Sequence, residues 1–245
     1  LTISGTGAMT DCDSFGDPAP WKICRQYIKS VVIKSGVTGI GDYAFFYCDA
    51  MTSVTIPNTV TAIGDEAFRN CKALTGVTIP NSVTTIGGGA FRRCTSLTSL
   101  NIPDSVTSIG DSSFEGCTSL TSVTIPESVT FIDSYAFEGC TSLTSLTIPN
   151  SVTAIYGNAF SGCTSLTSVV VPEGVTRVET CAFYGCTSLT NVTLPKSLTR
   201  LSGEVFRDCT SLTGITVPEG VDCIYSSTFA NCTSLTSVTL PSTVD

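Results

Sequence analysis

Apolar and polar positions alternate along this chain in a pattern that repeats with a fixed period of twenty-three positions. Residues 94–116, with the sequence CTSLTSLNIPDSVTSIGDSSFEG, contain one complete unit. Leu97, Leu100 and Ile102 have the spacing L-x-x-L-x-L, which is typical of a short strand in a repeating coil. Because side chains alternate between the two faces of a strand, we expect these three residues to point inward. The first half of each unit therefore predicts a short strand with one buried face.

The second half of the unit predicts another extended segment and a turn. Pro103 ends the first strand, since proline has no amide N–H for a β-ladder. Val106 and Ile109 then form a second apolar pair, which predicts a short extended segment on the opposite side of the coil. Residues 112–116 are predicted to form one helical or 3₁₀ turn around Phe114. The next coil starts directly after this turn.

Nine cysteines and nine phenylalanines recur at the step of the repeat, without an insertion or a deletion. A fixed period of this length indicates coils that stack on one another, so that equivalent residues form internal columns. The cysteine column contains Cys48, Cys71, Cys94, Cys117, Cys140, Cys163, Cys186, Cys209 and Cys232. The phenylalanine column contains Phe45, Phe68, Phe91, Phe114, Phe137, Phe160, Phe183, Phe206 and Phe229. We interpret both columns as structural ladders that pack the stack.

The spacing of the cysteine column argues against disulfides and against a metal site. Metal sites use cysteines two to four residues apart, whereas neighbours in the column are separated by a whole repeat. Stacked strands lie about 4.8 Å apart, which holds parallel Cβ atoms beyond the roughly 3.5–4.5 Å of a disulfide. We therefore interpret the column thiols as free, buried small hydrophobes. Cys12 and Cys24 lie outside the column, and a bond between them stays open, whereas Cys181 and Cys223 are predicted surface thiols.

Composition and charge exclude several classes of function. The net charge is −8 and the isoelectric point is about 4.4, so the surface repels phosphate backbones and no nucleic-acid partner is expected. The chain has no histidine, which removes the commonest general base and the commonest metal ligand. Without a nucleophile–base set we predict no catalysis, no cofactor and no metal. No apolar run approaches the length of a membrane span, roughly 18 residues or more, so no membrane insertion is expected.

The start of the chain departs from the period. Residues 1–27 contain the only tryptophan, Trp21, and stacked arrays need an atypical cap to cover their ends. We predict that residues 1–27 form an N-terminal cap, with Trp21 over the first coil. Residues 28–245 then form a solenoid of about nine and a half coils. No export signal is visible in this segment.

The repeat unit, CTSLTSVTIPxSVTxIGxxAFxGC, resembles the BspA-like leucine-rich repeat, the 23-residue type also called the Treponema pallidum type. The pentapeptide CTSLT occurs seven times. The opening LTISGTGAMT, the APW at residues 19–21 and residues 28–45 resemble the cap and first coil of that family. The resemblance extends over essentially the whole chain. It implies a β-rich, right-handed leucine-rich-repeat superhelix with a parallel sheet on one face and short strands and turns on the other.

The resemblance also implies a function. Proteins of that family are mostly surface-exposed or secreted, and those with a known role bind host proteins such as fibronectin and fibrinogen or mediate adhesion. We therefore expect a monomeric, non-catalytic module at the cell surface or outside the cell, whose ligand is a protein such as a host matrix protein. Two alternatives are a structural spacer that presents another domain and, more remotely, a hydroxyl-rich surface that binds glycan or ice. The family shares no catalytic or binding residues, so none are assigned from it.

Departures from the repeat identify the candidate ligand-binding residues. The outward strand positions, such as Ser99 and Asn101, are small and uncharged and lack the aromatic and arginine anchors of binding hot spots. The turn segments carry the basic cluster of this acidic chain. That cluster contains Arg69, Lys72, Arg92 and Arg93. The alternative interpretation is a solvated charge column, because Glu115 and Glu138 follow in the same column and exposed ion pairs contribute little to stability.

A second candidate set lies on the variable position before the second apolar pair. It contains Phe131, Arg177 and Arg200. Four tyrosines also replace small consensus residues, and they are Tyr135, Tyr156, Tyr184 and Tyr225. An exposed aromatic ring beside an arginine is typical of binding surfaces, so we predict that some of these residues contact a ligand.

Overall fold

The computed structural model describes residues 1–13 and 19–242, and its chain winds through about nine stacked coils. Almost every coil contributes one strand to each of two parallel β-layers, which we name sheet 1 and sheet 2. The strands of sheet 1 are β1 (Thr2–Ile3), β3 (Ser30–Ile33), β5 (Ser53–Thr55), β8 (Ser99–Asn101), β10 (Ser122–Thr124), β12 (Ser145–Thr147), β14 (Ser168–Val170), β16 (Asn191–Thr193), β18 (Gly214–Thr216) and β19 (Ser237–Thr239). The strands of sheet 2 are β2 (Gly7–Ala8), β4 (Val37–Ile40), β6 (Ala62–Ile63), β7 (Thr85–Ile86), β9 (Ser108–Ile109), β11 (Phe131–Ile132), β13 (Ala154–Ile155), β15 (Arg177–Val178) and β17 (Arg200–Leu201).

Neighbouring strands pair in parallel and in the register of the repeat. Ser122 aligns with Ser99 on one side and with Ser145 on the other, so like residues lie directly above one another. The regular ladder of sheet 1 is interrupted at residues 76–78, between β12 and β14, and between β16 and β18, and that of sheet 2 between β9 and β11. The coils stay in register across residues 76–78, where the amide of Thr98 donates to the carbonyl of Thr75 at 3.2 Å. The predicted leucine-rich-repeat solenoid is therefore confirmed.

The segment at residues 112–116 forms consecutive turns and no helix. Its amides alternate between two kinds of partner. The amide of Ser113 donates to Gly110 within the coil at 3.3 Å, whereas that of Phe114 donates to Ala136 of the next coil at 2.9 Å. Because every second amide is used between coils, the helical hydrogen-bond pattern cannot continue. Among the described residues the only helix is the 3₁₀ helix η1 (Arg25–Tyr27).

Two positions of every turn have a left-handed backbone. In one coil they are Ser112, with a φ of 56°, and Gly116, with a φ of 70°. Glycine also occupies the second position in the next three coils, where Gly139 has a φ of 67°, and Asp208 occupies it in the coil after those at a φ of 61°. Arg93 occupies it in the preceding coil at a φ of 58°, a conformation that L-residues other than glycine adopt at a cost. The fold therefore requires a left-handed backbone at this turn position in every coil, whichever residue occupies it.

The phenylalanine rings stack along the axis of the solenoid. Successive ring centroids lie 5.2 to 6.0 Å apart, from Phe45 through to Phe229, and all rings except the half-buried Phe229 are fully buried. Trp21 continues the stack over Phe45 at 5.4 Å, and its Nε1 donates to the carbonyl of Ala44 at 2.7 Å. The cap residue therefore covers the exposed end of the ring column.

The cysteine column is buried and makes hydrogen bonds that sequence reasoning did not predict. The thiol of Cys94 donates to the carbonyl of Phe68, in the preceding coil, at 3.2 Å, and that of Cys163 donates to Phe137 at 3.3 Å. The same contact recurs in every later coil. Burial raises the pKa of the Cys163 thiol to about 12, so the thiol stays protonated. These residues therefore tie adjacent coils together as well as filling the core.

The first residues of the predicted cap extend both layers. Strand β1 pairs with β3, where Thr2 aligns with Val32, and β2 pairs with β4. The cap thus contains a short coil of its own, followed by the segment with Trp21 and η1. None of the helices in the described part of the chain is long and apolar enough to cross a membrane.

Candidate functional site

Ion pairs neutralise most of the predicted basic cluster. Arg69 contacts Glu66 at 2.8 Å, and its guanidinium also lies 5.5 Å from the centroid of the Phe46 ring. Arg92 contacts Glu115, in the next coil, at 2.7 Å. Both arginine side chains are largely covered, with 23% and 27% of their surface exposed. These two residues therefore hold the turns of neighbouring coils together.

The remaining two members of the cluster are more exposed. Lys72 lies 3.5 Å from Asp49, and both side chains are about half exposed. Arg93 is exposed and forms no ion pair with another described residue. Three of the four basic residues are thus in ion pairs, and Arg93 is a single cation.

Glu115 and Glu138 follow in the same column of the turns. Partial burial raises the pKa of the Glu138 carboxyl, and the neighbouring Glu115 carboxylate raises it further, whereas Arg92 lowers it. Two carboxylates thus lie beside one arginine that pairs with the nearer of them. Glu115 is therefore neutralised by Arg92, whereas Glu138 forms no ion pair with a described residue.

The second candidate set lies together on the outer face of sheet 2. Register aligns Phe131 with Ala154, Ala154 with Arg177, and Arg177 with Arg200, so these positions form one row across four coils. Residues two positions later face the same way, because side chains alternate along a strand. We name the resulting surface the aromatic–arginine strip. It contains Phe131, Tyr156, Arg177, Arg200 and Tyr225.

One half of the strip is a chain of ring contacts. Phe131 and Tyr156 meet edge to face, with centroids 5.8 Å apart and an interplanar angle of 83°. The guanidinium of Arg177 lies 5.1 Å from the centroid of the Tyr156 ring. It also donates a hydrogen bond to the hydroxyl of Tyr156 at 2.7 Å. Cation–π attraction and this hydrogen bond together hold the arginine in one orientation on an exposed surface.

The other half of the strip contains a paired arginine. The Nε of Arg200 lies 3.8 Å from a carboxylate oxygen of Glu179 and donates to the hydroxyl of Ser202 at 3.3 Å. Ser202 in turn donates to Glu179 at 2.9 Å. The guanidinium of Arg200 lies 5.9 Å from the centroid of the Tyr225 ring. The strip therefore spans five coils, and the charge of Arg200 in its second half is neutralised by Glu179.

The four tyrosines of the sequence analysis separate into two groups. Tyr156 and Tyr225 belong to the strip, whereas Tyr135 occupies a left-handed turn position at a φ of 58°. A hydrogen bond with Asp208 raises the pKa of Tyr184, which lies in the turn column with Arg207. The sequence could have placed Tyr156 beside Arg177, because Tyr156 lies two positions after Ala154, the register partner of Arg177, and residues two apart on a strand face the same way.

Two cysteines lie close enough in sequence to be compared with a metal site. Cys181 and Cys186 are separated by four residues. The thiol of Cys186 is buried and donates to the carbonyl of Phe160 at 3.3 Å, whereas Cys181 lies 4.0 Å from a carboxylate oxygen of Glu204 at the surface. The two sulfur atoms therefore point to different environments. Within residues 1–13 and 19–242 no group of three or more ligating side chains could hold a metal ion. The thiols of Cys12 and Cys24 are not bonded to each other.

The outer face of sheet 1 is polar and regular. Threonine hydroxyls beside this face form hydrogen bonds between neighbouring coils. The hydroxyl of Thr98 donates to the carbonyl of Thr75 at 3.2 Å, and that of Thr121 donates to the carbonyl of Thr98 at 3.1 Å. An open hollow of about 670 Å³ lies at the far end of the sheet, around Gly214. Its lining combines apolar and small polar side chains with one cation, Lys196, and one carboxylate, Glu219. This hollow is on the other layer from the strip.

Comparisons with known proteins agree with the fold. The family described as BspA type leucine rich repeat region (6 copies) matches residues 23–144 and 131–245. A leucine rich cell surface protein from Faecalibacterium prausnitzii is similar in structure, with 29% identity, a TM-score of 0.57, and coverage of 96% of this chain and 83% of that chain. The pneumococcal vaccine antigen PcpA has the same fold at 16% identity and a TM-score of 0.54, over 99% of this chain and 79% of that chain. No curated protein sequence matches this chain.

Proposed function

This chain belongs to the BspA type leucine-rich repeat family, and we propose that it is a non-catalytic adhesion module that binds proteins outside the cell. Repeats of this kind are protein-interaction scaffolds. The observation that carries the proposal is the aromatic–arginine strip, which extends across five coils in two groups of contacting side chains. Tyrosine and arginine are among the residues that contribute most to binding energy at protein interfaces.

The rest of the proposal concerns the place and the partner. Similarity to a leucine rich cell surface protein supports display at the cell surface or secretion. The acidic charge of the chain disfavours nucleic acid as a partner, so a protein, such as a host matrix protein, is the proposed ligand. The module acts as a monomer and needs no cofactor or metal in this proposal.

A binding measurement tests the proposal. The purified chain is passed over immobilised fibronectin and fibrinogen, and over a mucosal cell layer, with albumin as the reference surface. We expect saturable binding that Tyr156→Ala and Phe131→Ala each weaken about tenfold, because both substitutions remove rings from the strip. Lys34→Gln, which removes an exposed cation in the first coil, is the control and should leave the affinity unchanged. Absence of binding to all three surfaces contradicts the adhesion function, and binding that is insensitive to the strip variants contradicts the assigned surface.

A structural spacer is the second candidate, and the uninterrupted stack of phenylalanine rings favours it. Two deletions of two full periods separate the candidates. Deletion of residues 140–185 removes Tyr156 and Arg177, whereas deletion of residues 48–93 shortens the solenoid equally and leaves the strip intact. A binding module loses its ligand only in the first variant. A spacer responds equally to both, since it depends on length alone.

A further inference from the structure

Arg177 lacks the glutamate partner that four other arginines of the chain have. Arg69, Arg92, Arg200 and Arg207 each form an ion pair with a glutamate. In the described part of the chain no carboxylate lies within ion-pair distance of Arg177. The molecule as a whole is acidic, with a net charge of −8, and Arg93 is also exposed without an ion pair to a described residue. Arg177 differs from Arg93 because the ring and the hydroxyl of a tyrosine hold its guanidinium.

The nearest carboxylates on this face have partners of their own. Glu179 accepts a hydrogen bond from Ser202 and pairs with Arg200. Asp133 accepts a hydrogen bond from the amide of Ser134 at 2.8 Å. Neither carboxylate is therefore directed at Arg177, whose positive charge stays available to a ligand.

Arg177 is also held in place before a ligand arrives. Its Nη2 group donates to the hydroxyl of Tyr156, and the ring of the same tyrosine lies beneath the guanidinium. The edge-to-face contact with Phe131 supports that ring in turn. A side chain that is already ordered loses less conformational entropy on binding. The remaining N–H groups of the planar guanidinium match the two oxygens of a carboxylate.

From these observations we propose that the aromatic–arginine strip recognises an acidic segment of a partner protein, in which an Asp or Glu carboxylate binds Arg177 and an adjacent apolar side chain packs on Tyr156 and Phe131. The inference rests on the proposed function and specifies the chemistry of its ligand. A polyanion such as nucleic acid or sulfated glycan is disfavoured, because the surrounding surface is acidic and only one unpaired cation is presented by the strip.

The test uses peptides, so it does not depend on the natural partner. A random dodecapeptide library displayed on phage is selected on the full chain and counter-selected on Arg177→Gln. We expect the surviving peptides to be enriched in Asp or Glu next to an aromatic or aliphatic residue. Synthetic versions of the best peptide should bind the Arg177→Gln chain about tenfold to a hundredfold more weakly than the unmodified chain, which is the usual range for a hydrogen bond to a charged group. Replacing the acidic residue of the peptide with Asn or Gln should have a similar effect.

Three further variants make the result specific. Arg177→Lys keeps the charge but loses the planar donor pair, so it should bind at least threefold more weakly. Tyr156→Phe keeps the ring but removes the hydroxyl that orients Arg177, and it should also weaken binding several-fold. Lys34→Gln removes one positive charge from an exposed position in the first coil and should bind within twofold of the unmodified chain.

Several results would overturn the inference. They are selection of no Arg177-dependent peptide, selection of dependent peptides without an acidic residue, or full binding by Arg177→Lys. A sulfated or phosphorylated control peptide that binds better than the carboxylate peptide would also overturn it, because it would identify another anion. Failure of the adhesion function gives a different pattern, in which acidic peptides bind through Arg177 but the chain binds neither matrix proteins nor cells.

Discussion

Arg177 donates a hydrogen bond to the hydroxyl of Tyr156 at 2.7 Å, although the two residues lie 21 positions apart and belong to neighbouring coils. The contact crosses from one outward position of a strand to the next outward position of the preceding coil. A repeat that is otherwise occupied by small residues thus acquires a fixed cation on an aromatic platform. This local departure, and not the repeat itself, gives the chain a surface with individual chemistry.

The stacked rings predict a large effect of removing one of them. Phe114 is fully buried between Phe91 and Phe137, with ring centroids 5.6 and 5.4 Å away. We expect Phe114→Ala to lower the free energy of unfolding by about 3–5 kcal/mol, because it removes a buried ring and leaves a cavity. Urea denaturation followed by circular dichroism measures the change. Ser122→Ala, at an exposed strand position, is the control, and a loss below about 1 kcal/mol for Phe114→Ala would contradict the buried stack.

The left-handed turn column predicts opposite effects of two substitutions at equivalent positions. Arg93→Gly should raise the free energy of unfolding by roughly 0.5–1 kcal/mol, since its φ of 58° is favourable for glycine and not for arginine. Gly139→Ala should lower the free energy of unfolding by about 1 kcal/mol, since alanine is unfavourable at a positive φ. The added Cβ would lie 3.8 Å from Gly116, an ordinary contact, so the backbone conformation alone causes this loss. Thermal melting of both variants gives the comparison. Equal signs for the two changes would show that the backbone conformation does not decide them.

Burial of the cysteine column predicts a graded reactivity of the thiols. Cys24 and Cys223 are exposed, and they should react with Ellman's reagent within minutes at pH 8. Cys163 should not react until the chain unfolds, because burial raises the pKa of its thiol to about 12. Mass spectrometry of the alkylated native protein identifies the modified residues, with a sample in urea as the control. Rapid labelling of Cys163 in the native state would be inconsistent with the hydrogen-bonded column.

Two glutamates predict opposite pH dependences. Burial and the adjacent Glu115 raise the pKa of Glu138 in the folded chain, so its stabilising contribution is complete below its unfolded pKa and is lost as the pH rises through the folded pKa. Hydrogen bonds from the amide and hydroxyl of Ser242 lower the pKa of Glu219, whose contribution is present above its unfolded pKa and is lost as the pH falls through the folded pKa. Relative to the unmodified chain, Glu138→Gln should therefore gain stability from pH 4 to pH 7, and Glu219→Gln should lose it.

Denaturation midpoints at several pH values measure both trends, and each variant serves as the control for the other. Parallel pH profiles for the two variants would mean that neither glutamate has the environment described above. Glu219 is exposed, so we expect only a small change in its profile.

The period of the sequence predicts the stack because no coil can bury its leucines and its phenylalanine alone. Leu97 and Phe114 must therefore meet equivalent residues of neighbouring coils, and the fold follows from that requirement. The same period does not predict hydrogen bonds that depend on depth, such as the bond from the thiol of Cys94 to the carbonyl of Phe68. Cysteine is a weak donor, and the sequence pattern alone does not show which carbonyl lies within its reach.

The candidate surfaces show a similar division. Arg69 and Arg92 share a column, which suggests a basic patch, but Glu66 of the same turn and Glu115, the next member of the column, neutralise them. Pairing of this kind depends on side-chain directions across coils. In the second set, Phe131, Arg177 and Arg200 share one row on sheet 2. The row follows from the sequence register, and the strand period could also have placed Tyr156 and Tyr225 on the same face. The contacts of these two rings with Arg177 and Arg200 required the structure.

Hydrogen–deuterium exchange on the full chain, with and without a saturating Arg177-dependent peptide, tests the position of the binding surface most directly. We predict that protection is confined to segments that carry the strip on sheet 2, namely residues 131–133, 154–156, 177–179 and 200–202. The outer strands of sheet 1, such as residues 99–101 and 122–124, should exchange at the same rate in both states. Protection of sheet 1, with no change on sheet 2, would contradict the assignment of the aromatic–arginine strip as the ligand-binding face.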